Sequence, residues 1–185
     1  MQAVVVCESM FGNTRAIAEA IGTGLGEYFD VTVITVPHAD RAHIEGADLV
    51  VVGAPTHVHG MPRASTRQGA AKQAEEAHGS LTLEPNALQD GLREWFTSVQ
   101  TSRGHGLAAA FDTRMQGPEV FTGRASKGIS RELRRQGYEL IAPPESYLVT
   151  KANELCPGER DRARAWGAKL AESLSLAAET SSRLT

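Results

Sequence analysis

Glu8-Ser9-Met10-Phe11-Gly12-Asn13-Thr14 lies between an apolar run, Val4-Val5-Val6, and a helical pattern, Thr14 to Leu25. Ile17, Ile21 and Leu25 fall on one helical face at steps of four. A buried strand that passes through a short loop straight into a helix presents unpaired backbone N–H groups and the positive end of a dipole, a setting that suits an anion. Ser9, Asn13 and Thr14 add short hydrogen-bonding side chains. Gly12 lets the backbone curl close to a bound group. A simple helix cap would explain Asn13 or Thr14 alone, but the whole string in this position reads as a phosphate loop.

Other anion loops do not fit. A Walker loop needs Lys after its second glycine, and no Lys follows Gly12. Gly22-Thr23-Gly24-Leu25-Gly26 stands at a helix end rather than between strand and helix, so it is expected to terminate the helix instead of binding a dinucleotide. Seven residues separate Cys7 from Arg15, two more than a cysteine phosphatase cradle has.

Outward from this loop, β-branched runs alternate with helical stretches. Strands are expected over Val31–Val36, Asp48–Gly53 and Gly106–Phe111, with a fifth strand region made of Tyr138–Ile141 and Ser146–Val149 around Pro143-Pro144. Helices are expected over Ala87–Val99, Gly123–Gln136 and Glu159–Ala178. This alternation predicts an α/β fold with a parallel sheet covered on both faces. The polar stretch Gln68–Pro85 reads as a partly helical surface insertion, with a lid or partner-contact role as the alternative. One domain is expected over residues 1–178, followed by a frayed polar tail at 179–185.

The composition is that of a globular protein: 41% hydrophobic and 22% charged residues among 185. A net charge of −3 provides no broad basic surface for nucleic acid or an anionic membrane. It is also less acidic than a shuttle that docks by charge. Two cysteines, Cys7 and Cys156, make no disulfide framework. The first apolar run is too short for a signal peptide or a membrane span. A cytoplasmic location is expected. Trp95 and Trp166 sit on helical stripes and read as core, and Arg131, Arg134 and Arg135 as a solvated helix face. His57-Val58-His59 lacks a convincing third ligand, so no metal is expected there.

Ser9-Met10-Phe11-Gly12-Asn13-Thr14 resembles the flavodoxin phosphate loop, [ST]-x-[TFY]-G-N-[TS], at every position. Gly53-Ala54-Pro55-Thr56-His57 resembles the second flavodoxin loop and Phe111-Asp112-Thr113-Arg114 the third. Pro144-Glu145-Ser146-Tyr147-Leu148-Val149, then Gly158-Glu159 and Arg162-Ala163-Arg164-Ala165-Trp166-Gly167, are similar to the carboxyl end of bacterial and archaeal flavodoxin-family proteins. The resemblance implies a doubly wound, five-stranded parallel sheet of order 2-1-3-4-5, and flavin mononucleotide (FMN) as cofactor. It implies that Ser9, Phe11, Gly12, Asn13 and Thr14 hold the phosphate, with Met10 contributing backbone. Thr56 would add a hydroxyl. Pro55, His57, Val58, His59 and Gly60 would border the ring, with Phe111, Asp112, Thr113 and Arg114 at its pyrimidine or ribityl side. Where many flavodoxins stack a Trp and a Tyr on the ring, the second loop here offers His57 and His59, and no aromatic stands between Thr113 and Val120.

Three functions follow from this reading. An FMN-bound electron carrier, serving a redox partner protein or a small acceptor, is placed ahead of an FMN-dependent NAD(P)H quinone reductase. A binding module without flavin is the third, and the intact first loop argues against it. No side chain reads as a catalytic acid or base, since the cofactor would carry the chemistry. His57, titrating near the ordinary value of about 6.5, is expected to link flavin potential to pH.

Overall fold

The first five strands of the chain stand in the order 2-1-3-4-5 within a single parallel sheet. The computed structural model describes residues 1–77, 81–99 and 106–182. β1 (Gln2–Cys7) is central and leads into α1 (Asn13–Leu25). β2 (Asp30–Thr35) lies at one edge, followed by a short 3₁₀ turn and α2 (Arg41–Ile44). β3 (Leu49–Pro55) leads to α3 (Ala64–Glu76) and α4 (Leu92–Ser98). β4 (Leu107–Met115) is followed by α5 (Glu119–Thr122) and α6 (Ala125–Arg135). β5 (Glu139–Leu140) and β6 (Glu145–Val149) share the fifth position, both parallel to β4, and α7 (Glu159–Ser182) closes the chain.

Alternation along the strands divides the core. Ala3, Val5 and Cys7 pack with Ile17, Ile21 and Leu25 of α1 and with Ala163, Leu170 and Ala171 of α7. Val4 and Val6 face the other way, onto Leu92, Trp95 and Phe96 of α4 and Ile129 and Leu133 of α6. Burial on both faces is why these strands are almost wholly apolar. Trp95 is core, as expected, and its indole N–H donates to the Ala39 carbonyl at 2.7 Å. Trp166 packs, partly buried, against the α1/α7 side.

Several boundaries differ from the sequence expectations. β4 does not end at Phe111. It continues to Met115 because β3 pairs with it through Thr113 and β6 pairs with it from Phe111 to Met115, so both edges of the backbone are satisfied. Asp112, Thr113 and Arg114 are therefore strand residues rather than a loop. α4 begins at Leu92, not Ala87, where the carboxylates of Glu8 and Glu94 accept from the N–H groups of Leu92 and Gly91. Gln68–Glu76 belongs to α3, which starts at Ala64, so the first half of the stretch Gln68–Pro85 is the continuation of a regular helix. Residues 78–80 of that stretch lie outside the described residues. Glu179–Ser182 continues α7, while 183–185 lie outside the described residues. Gly22 and Gly24 sit within α1, which ends only at Leu25 with Gly26 as its C-cap. A Cβ on Gly24 would stand 2.0 Å from the Arg164 carbonyl oxygen, so the missing side chain is what lets α1 and α7 meet backbone to backbone.

Candidate functional site

The exits of β1, β3, β4 and β6 converge on one open cavity of about 830 Å³ at the carboxyl end of the sheet. Open parallel sheets bind ligands at this edge, next to the point where strand order reverses, and here β1 lies between β2 and β3.

The loop after β1 forms the floor. Gly12 has φ +89, a left-handed conformation that a side chain would disfavour, and it turns the chain into α1. Ser9 Oγ accepts from Gly12 N at 3.2 Å and Arg15 N at 3.4 Å. The N–H groups of Phe11, Asn13 and Thr14 have no protein acceptor among the described residues. Thr14 Oγ1 meets Thr113 Oγ1 at 2.7 Å, and both threonines are buried. One of these hydroxyls donates to the other, and the second keeps its proton for a third group. Glu84 Oε2 pairs with Arg15 Nη1 at 3.0 Å, so the carboxylate beside the loop is neutralised.

The Asn13 side chain has partners within the protein. Its amide donates to the Asn153 carbonyl at 2.8 Å and to Asn153 Oδ1 at 3.2 Å. Asn13 thus clamps the first loop to the segment after β6, and that segment, Thr150–Glu154, lines the cavity. The sequence reading passed over it, although its position after a strand was the available signal. α3 was missed as a wall for another reason: its cavity residues Thr66, Gly69, Ala70 and Gln73 carry no motif. Met10, Phe11, Asn13, Thr14, Pro55, Thr56, His57, Val58, Thr113 and Arg114 all line the cavity. Ser9 and Gly12 shape the loop from behind.

Phe111 does not reach the cavity. It is fully buried, edge-on to Tyr147 with ring centroids 6.3 Å apart. Asp112 is equally buried, and its carboxylate accepts from Thr56 Oγ1 at 2.7 Å and from Ser126 N at 3.2 Å. It positions Thr56 from beneath. His59 and Gly60 also lie off the cavity lining, within a tight turn closed by reciprocal His57–Gly60 backbone bonds of 2.9 and 3.1 Å. Val58 and His59 there have φ +44 and +70, strained values for side-chain-bearing residues. The turn holds Val58, 81% exposed, at the mouth. A bridge between His59 and Gly123 brings the segment after β4 alongside, with Phe121 74% exposed.

Electrostatics separate His57 from the sequence expectation. Burial, and then the charge of Arg67, push its pKa below the ordinary 6.5, so the imidazole is neutral at physiological pH. Arg67 is itself buried on α3, 3.6 Å from Glu8 and 3.3 Å from Glu94. Burial raises the Glu8 carboxyl, while the Leu92 N–H and Arg67 oppose that rise. The Cys7 thiol, at the end of β1, is pushed up to about 12, chiefly by burial, and is chemically quiet. Among the described residues no group of His, Cys, Asp and Glu could hold a metal ion, and no helix is long and apolar enough to cross a membrane.

A doubly wound sheet with a glycine-turned loop after its first strand and a cavity at the strand exits defines an α/β protein of the class whose ligands bind at the carboxyl edge of the sheet. The family model for flavodoxin matches residues 5–115, and the chain belongs to the flavodoxin family, whose members bind flavin. Solved structures agree on the fold. A flavodoxin from the domain Archaea is 23% identical, covering 95% of this chain and 99% of that chain, with a TM-score of 0.62. Oxidised Flavodoxin 1 from Bacillus cereus is 17% identical, over 93% and 98%, with a TM-score of 0.65. Two-electron reduced Megasphaera elsdenii flavodoxin is 17% identical, over 91% and 99%, with a TM-score of 0.57. No curated protein matches the chain.

Proposed function

We propose that this chain binds FMN in the cavity and transfers electrons through it. The observation that carries the reading is the anion cradle. The N–H groups of Phe11 in the loop and of Asn13 and Thr14 at the start of α1, which have no acceptor among the described residues, stand beside a threonine pair with one proton to spare. A dianionic terminal phosphate satisfies these donors and the helix dipole together. Ser9, Met10, Phe11, Gly12, Asn13 and Thr14 form or brace the phosphate site. Thr56 and Thr113 meet the ribityl chain. Pro55, His57 and Val58 lie along the ring, with Arg114 towards its pyrimidine edge. His59, Gly60, Phe111 and Asp112 support these from outside the lining. Residues 1–178 act as one unit, in the cytoplasm, serving a redox partner protein or a small-molecule acceptor.

A second reading, a reductase that takes hydride from NAD(P)H and passes it to a quinone-type acceptor, is favoured by one observation. The cavity is open and has small wall residues, Gly69 and Ala70, that leave room beside a flat ring. Titration of the purified apoprotein with FMN and riboflavin tests the shared cofactor claim. FMN is expected to bind far more tightly, and equal affinities would mean that the loop contributes nothing.

A further inference from the structure

The charges around the cavity are unevenly distributed. Arg114, on the last part of β4, and Lys151, after β6, both line it. Arg114 is half-buried, and its Nη1 donates to the Gly117 carbonyl at 2.9 Å and to Thr122 Oγ1 at 2.9 Å. Its Nε is buried without a partner, and no carboxylate lies at ion-pair distance from the guanidinium among the described residues; Glu119, which feels Arg114 from further away, is paired with Lys127 and Arg124. Lys151 is exposed and makes no ion pair or hydrogen bond among the described residues. Against these two cations the lining offers one carboxylate, Glu154. Asp112 is turned away beneath Thr56 and is absent from the lining. His57 is neutral at physiological pH. The cations of the first-loop side are spent elsewhere: Arg15 on Glu19 and Glu84, Arg67 on Glu8 and Glu94.

The geometry points to Arg114 and Lys151 as the residues that set the redox poise of the site, by stabilising the negative charge that the bound flavin acquires on two-electron reduction. This inference rests on the FMN reading and deepens it. Bound FMN would supply two-electron chemistry there: a hydride, two electrons with one proton, accepted from a donor of the dihydronicotinamide class, itself released as the oxidised nicotinamide, would leave the ring with one added negative charge. Arg114 and Lys151 attract that added charge and act only weakly on the uncharged oxidised ring. Half-burial keeps the Arg114 charge from being fully screened, whereas Lys151 acts through solvent and contributes less. The hydrogen bonds to Gly117 and Thr122 fix the guanidinium in place, so its charge is preorganised rather than recruited. The consequence is a reduction potential less negative than that of a site without these cations, which suits exchange of electron pairs with an organic acceptor.

The test is the midpoint potential of bound FMN, by reductive titration against a reference dye, for the full chain and three variants. Arg114→Gln is expected to reduce the ratio of reduced-to-oxidised FMN affinity by about tenfold, about 30 mV in a two-electron midpoint. Lys151→Gln lowers it in the same direction by less. Arg114→Lys keeps the wild-type midpoint, which separates charge from organisation of the loop. Arg114→Gln could unseat the Gly117–Thr122 segment, but the exposed Lys151 side chain has no bond to lose among the described residues, so its variant reads charge alone. Midpoints of Arg114→Gln and Lys151→Gln equal to wild type overturn the inference and leave FMN binding intact. So does an Arg114→Lys midpoint as low as that of Arg114→Gln. Failure of the wild-type chain to bind FMN overturns the cofactor reading and this inference with it.

Discussion

Thr14 Oγ1, on the first turn of α1, and Thr113 Oγ1, near the end of β4, lie 2.7 Å apart although 99 residues separate them in sequence. The pair shares one proton in its mutual bond and has one left for a ligand. Thr14→Val and Thr113→Val should therefore each weaken FMN by roughly 1.5–3 kcal/mol, the range for a hydrogen bond to a charged group. The double variant should lose less than the sum, because each single change already breaks the shared arrangement. Fluorescence titration of the four proteins measures this, and strict additivity would show that the two hydroxyls act separately.

The Asn13 side chain couples two loops. Asn13→Ala removes both bonds to Asn153 and should release the Thr150–Glu154 turn, weakening FMN indirectly. Asn13→Asp should be worse, since a carboxylate would face the Asn153 carbonyl and stand next to the phosphate. Amide hydrogen exchange separates this from direct contact: faster exchange at Asn153 and Glu154 in the Ala variant is the expected signature.

His57 is held neutral, and the sign of its pH effect follows. Its folded pKa lies below 6.5, so as pH falls through about 6.5 the unfolded chain takes up a proton that the native state refuses. Stability is then lost progressively on the acid side until the native imidazole also protonates, and His57 contributes no slope above neutrality. Denaturant midpoints from pH 7.5 to 5 should fall more steeply for wild type than for His57→Gln. Parallel curves would show that His57 is not depressed. Any coupling of flavin potential to this imidazole is confined to the same acid window, not centred on physiological pH.

Arg67 neutralises Glu8 directly beneath the phosphate loop. Arg67→Met would leave a buried carboxylate without its cation, a loss of about 3–5 kcal/mol by comparison with other broken buried pairs. Adding Glu8→Gln in that background should recover part of it, since the amide oxygen still accepts from Leu92 N while the charge is gone. Equilibrium unfolding of the single and double variants decides this. No recovery would mean that Glu8 is already protonated in the native state, in the direction that burial pushes it.

What the sequence alone determined is local or periodic. The runs of valine, the spacing of Ile17, Ile21 and Leu25, and the Ser9–Thr14 string depend on neighbours within a few residues, so they placed the parallel sheet and the loop that joins β1 to α1. The order of the strands came through the family resemblance that this string carries. Only the tertiary structure decided what depends on register between distant segments. β4 runs on to Met115 because β3 and β6 pair with it, and that pairing carries Thr113 to Thr14, turns Phe111 into the core and sinks Asp112 beneath Thr56. Asn153 meets Asn13 across 140 residues, and Arg67 meets Glu8 through a helix whose sequence reads as a polar insertion. A backbone group takes its hydrogen-bond partner, and a buried charge its counter-ion, from whatever the folded chain places within a few ångströms. No pattern along the chain encodes that distance.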